Sequence, residues 1–132
     1  MNVKIRKANS GDWQDIRALI RMFPKQLMQS NLPKARSFFV AVHVGKIVGC
    51  CAMQLHSGRL GEVRDLAVHP DFQGKGIGKK LVLTCVARAK KEGVKWLLSI
   101  TGAKAVFEKM GFGSWQREKY AMLMALPGKK AK

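Results

Sequence analysis

Acidic residues, cysteines and long apolar runs are all scarce in this chain. Eight Asp and Glu stand against 25 Lys and Arg among 132 residues, which gives a formal net charge of +17. No apolar run reaches about 18 residues and the N-terminus carries no apolar signal segment, so we expect neither a membrane span nor export by a cleaved peptide. Three cysteines, of which Cys50 and Cys51 are adjacent, suit neither a disulfide framework nor a metal site. These deficits predict a cytoplasmic protein without a bound metal ion.

Residues 62–82 are the most informative stretch. An apolar strand pattern over 62–68 ends at His69-Pro70, the glycine-rich turn 73–78 follows, and a helical pattern begins at Ile77. Glycine lets the backbone approach a ligand closely, and the first N–H groups of a helix attract negative charge. A strand, a glycine turn and a helix N-terminus together predict a cradle for a diphosphate. The glycine spacing matches neither the dinucleotide fingerprint nor the P-loop, so spacing alone leaves an ordinary turn as an equal alternative.

The wider string around this turn points to a family. Gln73-x-x-Gly76-x-Gly78 after an apolar strand resembles the acetyl-coenzyme A motif of the GNAT superfamily of N-acetyltransferases. Residues 106–112 resemble the helix and turn that follow the next strand in that superfamily. Three further segments look like its N-acetylglutamate synthase branch in the short single-domain form: 5–8, 38–40 and 45–52. The resemblance covers roughly residues 3 to 112. It departs from the branch in a short connection between Leu32-Pro33 and Phe38, and in a shorter C-terminal region.

The resemblance implies an α/β fold of the GNAT type, with a mixed, mostly antiparallel sheet, a parallel, splayed central strand pair and flanking helices. Residues 1–127 would form a single domain and residues 128–132 a basic tail. The hydrophobic periodicity agrees with the implied order β-α-β-β-β-α-β-α-β. It predicts strands over 3–7, 38–43, 47–55, 62–68, 96–100 and 120–125, and helices over 13–23, from 77 to a stop at Gly93, and over 104–110.

Acetyl-coenzyme A is the co-substrate that the resemblance implies. It assigns donor binding to the backbone of one strand end, to the glycine turn and to one aromatic position: Leu66, Ala67, Val68, Gln73, Gly74, Lys75, Gly76, Ile77, Gly78, Lys79 and Phe107. Many GNAT enzymes have a tyrosine at that aromatic position as general acid. Phenylalanine has no proton to give, and a leaving thiolate with a pKa of about 8.5 can take its proton from water. Tyr120, the only tyrosine, lies in a predicted strand and is a poor substitute.

Glu62 is the candidate general base, because GNAT enzymes that use a strand glutamate place it there. The alternative is a solvated acid flanked by Arg59 and Arg64. Arg64 shares a strand face with Glu62, so its guanidinium would either bind an acceptor carboxylate or pair with Glu62 itself. Thr101 matches a threonine of the branch and would either line the acceptor pocket or cap the next helix. The cysteines are predicted to be buried, structural thiols.

The predicted function is acetyl-coenzyme A-dependent transfer of an acetyl group to a primary amine by direct attack on the thioester. Glutamate is one candidate acceptor, in which case the partner is a small molecule. Two alternatives stay open. One is a peptide or protein N-acetyltransferase with an open groove. The other is a basic GNAT-shaped module that binds nucleic acid, a ribosome or another acidic partner through its charge. The chain is predicted to act as a monomer or homodimer.

Overall fold

A computed structural model describes residues 2–101 and 104–113. The elements follow the chain as β1 (Lys4–Lys7), α1 (Trp13–Arg21), β2 (Phe38–His43), β3 (Lys46–Leu55), β4 (Leu60–Val68), α2 (Ile77–Lys91), β5 (Trp96–Leu98) and α3 (Lys104–Lys109). Single turns of 3-10 helix lie at Ser10–Asp12, Ala35–Ser37 and Pro70–Phe72. Within the described ranges the element order is the predicted one. The strand predicted over 120–125 and the domain boundary at 127 lie outside them.

The five strands form one sheet in chain order, β1-β2-β3-β4-β5. The first four are antiparallel neighbours and β5 runs parallel to β4, as predicted for a strand reached through a helical crossover. Strand β4 begins two residues earlier than the prediction and β5 ends two residues earlier. The β2–β3 hairpin closes through Val44 and Gly45, both at positive φ (48° and 73°), which matches the right-handed twist of the strands.

The 3-10 turn Ser10–Asp12, which leads directly into α1, begins at a reciprocal cap. Asn9 Oδ1 accepts a hydrogen bond from the Gly11 N–H (2.9 Å), while Asp12 Oδ2 accepts one from the Asn9 N–H (2.8 Å). Arg6 of β1 also donates to Asp12, with 2.7 Å between Nη1 and Oδ2. The strand end, the cap and the helix start are therefore joined through one carboxylate.

Apolar side chains pack on both faces of the sheet. One cluster lies under α2 and the other under α1; their largest fully buried members are Leu81, Val82 and Val63 on the first side and Ile16, Ile20 and Phe38 on the second. Cys51 and Cys85 belong to the α2 cluster and Cys50 to the α1 cluster, and all three thiols are free and buried. The prediction that the cysteines are buried is confirmed. No helix in the described part of the chain is long and apolar enough to cross a membrane.

Candidate active site

The backbone of the glycine turn before α2 has open space around it. Gly74 and Gly76 both adopt the left-handed conformation, with φ of 77° and 83°, and Gly76 is the N-cap of α2. A Cβ built at either position would meet no atom within 4 Å. A Cβ at Gly78, by contrast, would lie 3.7 Å from Cγ2 of Val68, so the first turn of the helix sits close against β4. The predicted strand, glycine turn and helix N-terminus are present, with Lys75 and Lys79 exposed beside them, and diphosphate binding by this turn stays a prediction.

Two side chains tie this turn to the end of β4. Gln73 Nε2 donates a hydrogen bond to the Val68 carbonyl oxygen (2.9 Å), and His69 Nδ1 accepts one from the Asp71 N–H (3.1 Å). The His69 backbone N–H in turn donates to Val48 O of β3 (2.8 Å). Hydrogen bonds within the protein thus fix the strand end, the 3-10 turn and the glycine turn to one another.

Backbone pairing between the parallel strands β4 and β5 covers only the first part of β4, and just beyond it Ser99 Oγ donates a hydrogen bond to Val63 O (3.1 Å). Their pairing runs from Leu60↔Trp96 to Glu62↔Leu98 and stops, while β4 continues to Val68. Alternation in the antiparallel β3–β4 ladder directs the Val68 N–H and C=O away from β3, because the neighbouring His69 N–H is the group bonded to β3. The main chain at the end of β4 therefore faces the opening between the strands.

A β-bulge lies at the centre of β4. Cys50 pairs with Ala67 and Ala52 with Arg64, so Asp65 and Leu66 together oppose one residue of β3. Asp65 has a φ of 56°. The extra residue reverses the alternation of faces, so that Val63 lies in the α2 cluster whereas Ala67 lies in the α1 cluster. Nothing in the sequence pattern indicates this bulge.

Glu62 lies just where β4 and β5 part, and its partner is a histidine. The distance from Glu62 Oε1 to His56 Nε2 is 2.8 Å. The Glu62 side chain is only 16% exposed, so the alternative of a fully solvated acid is wrong. His56 belongs to the turn between β3 and β4, and no motif in the sequence marks it.

Arg64 does not pair with Glu62, so that alternative is also wrong. Its Nε donates to Asp65 Oδ2 (2.6 Å), its Nη1 to Gln54 Oε1 (3.0 Å) and its Nη2 to Asn31 O (3.1 Å). The guanidinium therefore joins the bulge, β3 and the segment after α1. Each of its nitrogens already donates to the protein, which leaves two of the five N–H groups for an acceptor.

Burial raises the pKa of the Asp65 carboxyl, which is only 7% exposed. The Arg64 guanidinium opposes that rise through its charge and its hydrogen bond, and the nearby Glu62 charge adds to it. The ionised form of this nearly buried carboxyl is therefore stabilised mainly by one neighbouring cation, Arg64.

A cavity of about 360 Å³ lies mainly on the α2 face of the sheet, where Arg88 of α2 lines it. The Glu62 side chain points to the other face, because its neighbour Val63 packs in the α2 cluster. Phe39 and Met53 contribute apolar lining. Four cationic side chains also line it: Lys7, Lys34, Arg36 and Arg88. Only Arg88 takes part in an ion pair of the described residues, with Glu92 at 2.8 Å. The cavity therefore has a surplus of positive charge.

Comparison with known proteins identifies the architecture. Residues 34–113 match the acetyltransferase (GNAT) domain. The chain belongs to the GNAT acetyltransferase family. An amino-acid acetyltransferase of Mycobacterium tuberculosis is 31% identical over 116 residues, which are 82% of this chain and 67% of that protein. An uncharacterized N-acetyltransferase of Chlorobaculum tepidum is 35% identical over 94 residues, or 71% of this chain.

Solved GNAT structures show the same fold. A Mycobacterium tuberculosis protein in complex with CoA superposes with a TM-score of 0.81 at 30% identity, over 86% of this chain and 73% of that one. N-acetylglutamate synthase of Neisseria gonorrhoeae, complexed with coenzyme A and N-acetyl-glutamate, gives 0.74 at 28% identity, over 84% of this chain and 28% of that one. This chain spans 61% of the length of the Chlorobaculum relative and 27% of two amino-acid acetyltransferases of Neisseria meningitidis. The predictions of family and fold are confirmed.

Two further residues assigned by the GNAT resemblance lie on α3 and in the segment after β5. Phe107 of α3 is 5% exposed and packs edge-on against Phe112, with ring centroids 5.2 Å apart. Thr101 follows β5 and is exposed. Their roles at the leaving thiolate and in the acceptor pocket stay predictions. The described residues hold no group of three or more His, Cys, Asp or Glu side chains that could bind a metal ion.

Proposed function

We propose that this GNAT domain transfers the acetyl group of acetyl-coenzyme A to the amine of an amino acid. The observation that carries the proposal is the separation of β4 from β5 after Glu62, which opens beside the glycine turn at the N-terminus of α2. One opening thus combines a diphosphate cradle, a strand end whose main chain faces it, and a carboxylate at its base. Solved relatives hold coenzyme A, which supports the same donor here.

Each part of the opening has a role in binding the donor. The open backbone at Gly74 and Gly76, the N-terminal N–H groups of α2 and the exposed Lys75 and Lys79 would hold the diphosphate. The main chain at Val68 would bind the pantetheine and the thioester carbonyl oxygen, and its N–H would stabilise the oxyanion that develops there. Gln73 keeps that strand end and the turn in fixed register.

The chemistry requires one base and one leaving group. Glu62 removes a proton from the acceptor ammonium, directly or through a water, so that the nitrogen carries a free electron pair. The nitrogen then bonds to the thioester carbon and gives up its second proton to water. The carbon–sulfur bond breaks, and the thiolate takes a proton from water. Phe107 supplies none, and a thiolate is stable enough to leave without a general acid.

An amino-acid acceptor is supported by the relatives' names and by charge. Two groups of relatives are amino-acid acetyltransferases, and one solved neighbour holds N-acetyl-glutamate. On the face of the sheet that carries Glu62, the Arg64 guanidinium keeps two N–H groups that would bind an acceptor carboxylate.

The test compares Glu62→Gln with Glu108→Gln, an exposed acid on α3 that serves as the matched control. Each protein is assayed with acetyl-coenzyme A and a panel of amino acids, polyamines and short peptides. We expect Glu62→Gln to bind the donor normally and to lose roughly 10²–10⁴-fold in turnover at neutral pH. Turnover within a factor of two of the wild type would show that Glu62 is not the base. Peptides as the sole productive acceptors would replace the amino-acid proposal with peptide N-acetylation.

A further inference from the structure

We propose that His56 is a positioning residue for Glu62: its imidazole holds one carboxylate oxygen so that the other is presented to the acceptor amine. The inference rests on the proposed function, because it assumes that Glu62 is the base. Oε1 of Glu62 lies 2.8 Å from His56 Nε2. The hydrogen bonds among the described residues leave Oε2 of Glu62 without a protein partner. A carboxylate with one oxygen fixed and one available is the arrangement that proton abstraction requires.

The turn that carries His56 is held by its own hydrogen bonds. The His56 and Ser57 N–H groups both donate to Leu60 O, at 2.9 and 3.2 Å. Ser57 Oγ accepts from the N–H groups of Arg59 (3.1 Å) and Leu60 (3.2 Å). The loop from β3 to β4 is therefore closed on itself, and it places the imidazole beside a glutamate six residues along the chain. Because the loop already fixes the His56 imidazole, its hydrogen bond restricts the Glu62 carboxylate at little additional entropic cost.

The contact also determines which nitrogen of His56 carries hydrogen. An ionised carboxylate only accepts hydrogen bonds, so Nε2 must donate when Glu62 is ready to act as a base. The His56 side chain is 39% exposed, which leaves Nδ1 free to exchange with water. When Glu62 receives the amine proton on Oε2, the bond from Nε2 to Oε1 persists, and the proton then passes from Oε2 to solvent. His56 orients the base throughout and consumes no proton itself.

The other two histidines show what a purely structural role looks like. His43 Nδ1 lies 2.9 Å from Asn2 O and its ring packs on Phe72, while His69 caps the turn before the glycines. Neither contacts Glu62. His43 is therefore the matched control for a histidine that contributes to packing alone.

The kinetic test uses His56→Ala, the conservative His56→Gln and the control His43→Ala. We expect His56→Ala to lower kcat roughly 10- to 100-fold, the value of a lost hydrogen bond to a charged group, with the KM for acetyl-coenzyme A unchanged. His56→Gln, whose amide N–H can reach the same oxygen, should recover most of that loss. His43→Ala should keep the wild-type kcat. In the Glu62→Gln background His56→Ala should cause no further loss, because the group it positions is gone.

Two kinetic results would overturn the inference while leaving the proposed function intact. One is a wild-type kcat in His56→Ala of an enzyme that Glu62→Gln does impair. The other is the same fold-loss from His56→Ala with and without Glu62. A readout independent of turnover is the ¹H–¹⁵N spectrum of the imidazole rings, which should show His56 as the Nε2–H tautomer. A predominantly Nδ1–H ring at neutral pH would also overturn the inference. If the wild type acetylates no amine, the proposed function fails instead.

Discussion

At the residue scale, the decisive position is Gly76. Its φ of 83° is one that side-chain-bearing residues rarely adopt, and the space before it is open. Gly76→Asp would strain the N-cap of α2 and would place a carboxylate where the donor's phosphates are expected to bind. We expect the mutant to lose the stabilisation given by acetyl-coenzyme A, which is about 2.7 kcal/mol for the wild type at one hundred times the Kd.

Thermal melts with and without acetyl-coenzyme A measure this effect. Gly93→Asp is the control, because Gly93 has a φ of 75° and the same open surroundings at the other end of α2. It should be destabilised yet keep the full ligand-induced shift. Equal ligand shifts in the wild type and in Gly76→Asp would remove the turn from the donor site.

A second residue-scale effect concerns acid stability at Asp12. The hydrogen bond from Arg6 lowers the pKa of this carboxyl, burial raises it to a smaller extent, and the Asn9 N–H lowers it further. An acid whose pKa is lower in the folded state contributes stability that is complete above its unfolded value, 3.8, and is lost as pH falls through the folded value. The free energy of unfolding should therefore differ between wild type and Asp12→Asn by a constant amount above about pH 5, and the difference should shrink below 3.8.

Urea titrations of both proteins from pH 7 to pH 2 measure this difference in the free energy of unfolding. A gap that is unchanged at the lowest pH would contradict the role of the Arg6 pair.

At the scale of elements, the bulge in β4 depends on Asp65. Asp tolerates a left-handed φ better than most residues, and its carboxylate binds Arg64. Asp65→Ala should lose roughly 1–2 kcal/mol through backbone strain and a further 1–3 kcal/mol because the guanidinium loses its partner. Asp65→Asn keeps the tolerance and an acceptor oxygen, so it should stay within about 1 kcal/mol of the wild type.

Urea midpoints at a constant m-value measure both variants, and the exposed Asp71→Ala is the control. Equal losses from Asp65→Ala and Asp65→Asn would show that charge alone, rather than conformation, makes Asp65 suitable at the bulge.

The same elements show what local sequence determines. Glycines at 74 and 76 predict a left-handed turn because few other residues adopt that backbone, and the spacing of Ile77, Leu81 and Cys85 predicts a helix because one face must be buried. The bulge has no such signature. An Asp within a strand is predicted to face solvent whether or not the strand contains a bulge. The partners of Glu62 and Arg64 were missed for a related reason. They depend on how a turn closes and on where the segment after α1 crosses the sheet, and no local preference encodes either.

At the scale of the whole molecule, the charge of +17 exceeds what the donor's phosphates require. Most acids of the described residues are already paired, for example Asp12 with Arg6 and Glu92 with Arg88, so much of the basic surface has no internal partner. We expect weak, non-selective binding of a labelled 20-nucleotide single-stranded RNA at low salt. Because binding releases one counterion for each neutralised phosphate, it should fall steeply by about 0.2 M salt.

Fluorescence anisotropy at increasing salt measures that binding. Charge alone predicts the same affinity for RNA of any sequence. Tight, sequence-selective binding at physiological salt, with no turnover on any amine, would favour a nucleic-acid-binding module over an enzyme.

The burial of the cysteines also allows turnover to be followed with a thiol reagent. Burial raises the pKa of Cys50 to about 12, and the contact with Cys85 together with burial raises the pKa of Cys51 well above its ordinary range. Thiolates are the reactive form, so a chromogenic disulfide such as Ellman's reagent should leave the folded protein untouched. The absorbance that the reagent develops would then measure released coenzyme A, with almost no contribution from the protein's own thiols. Unfolding of the protein during the assay would be detected as three additional reactive thiols per chain.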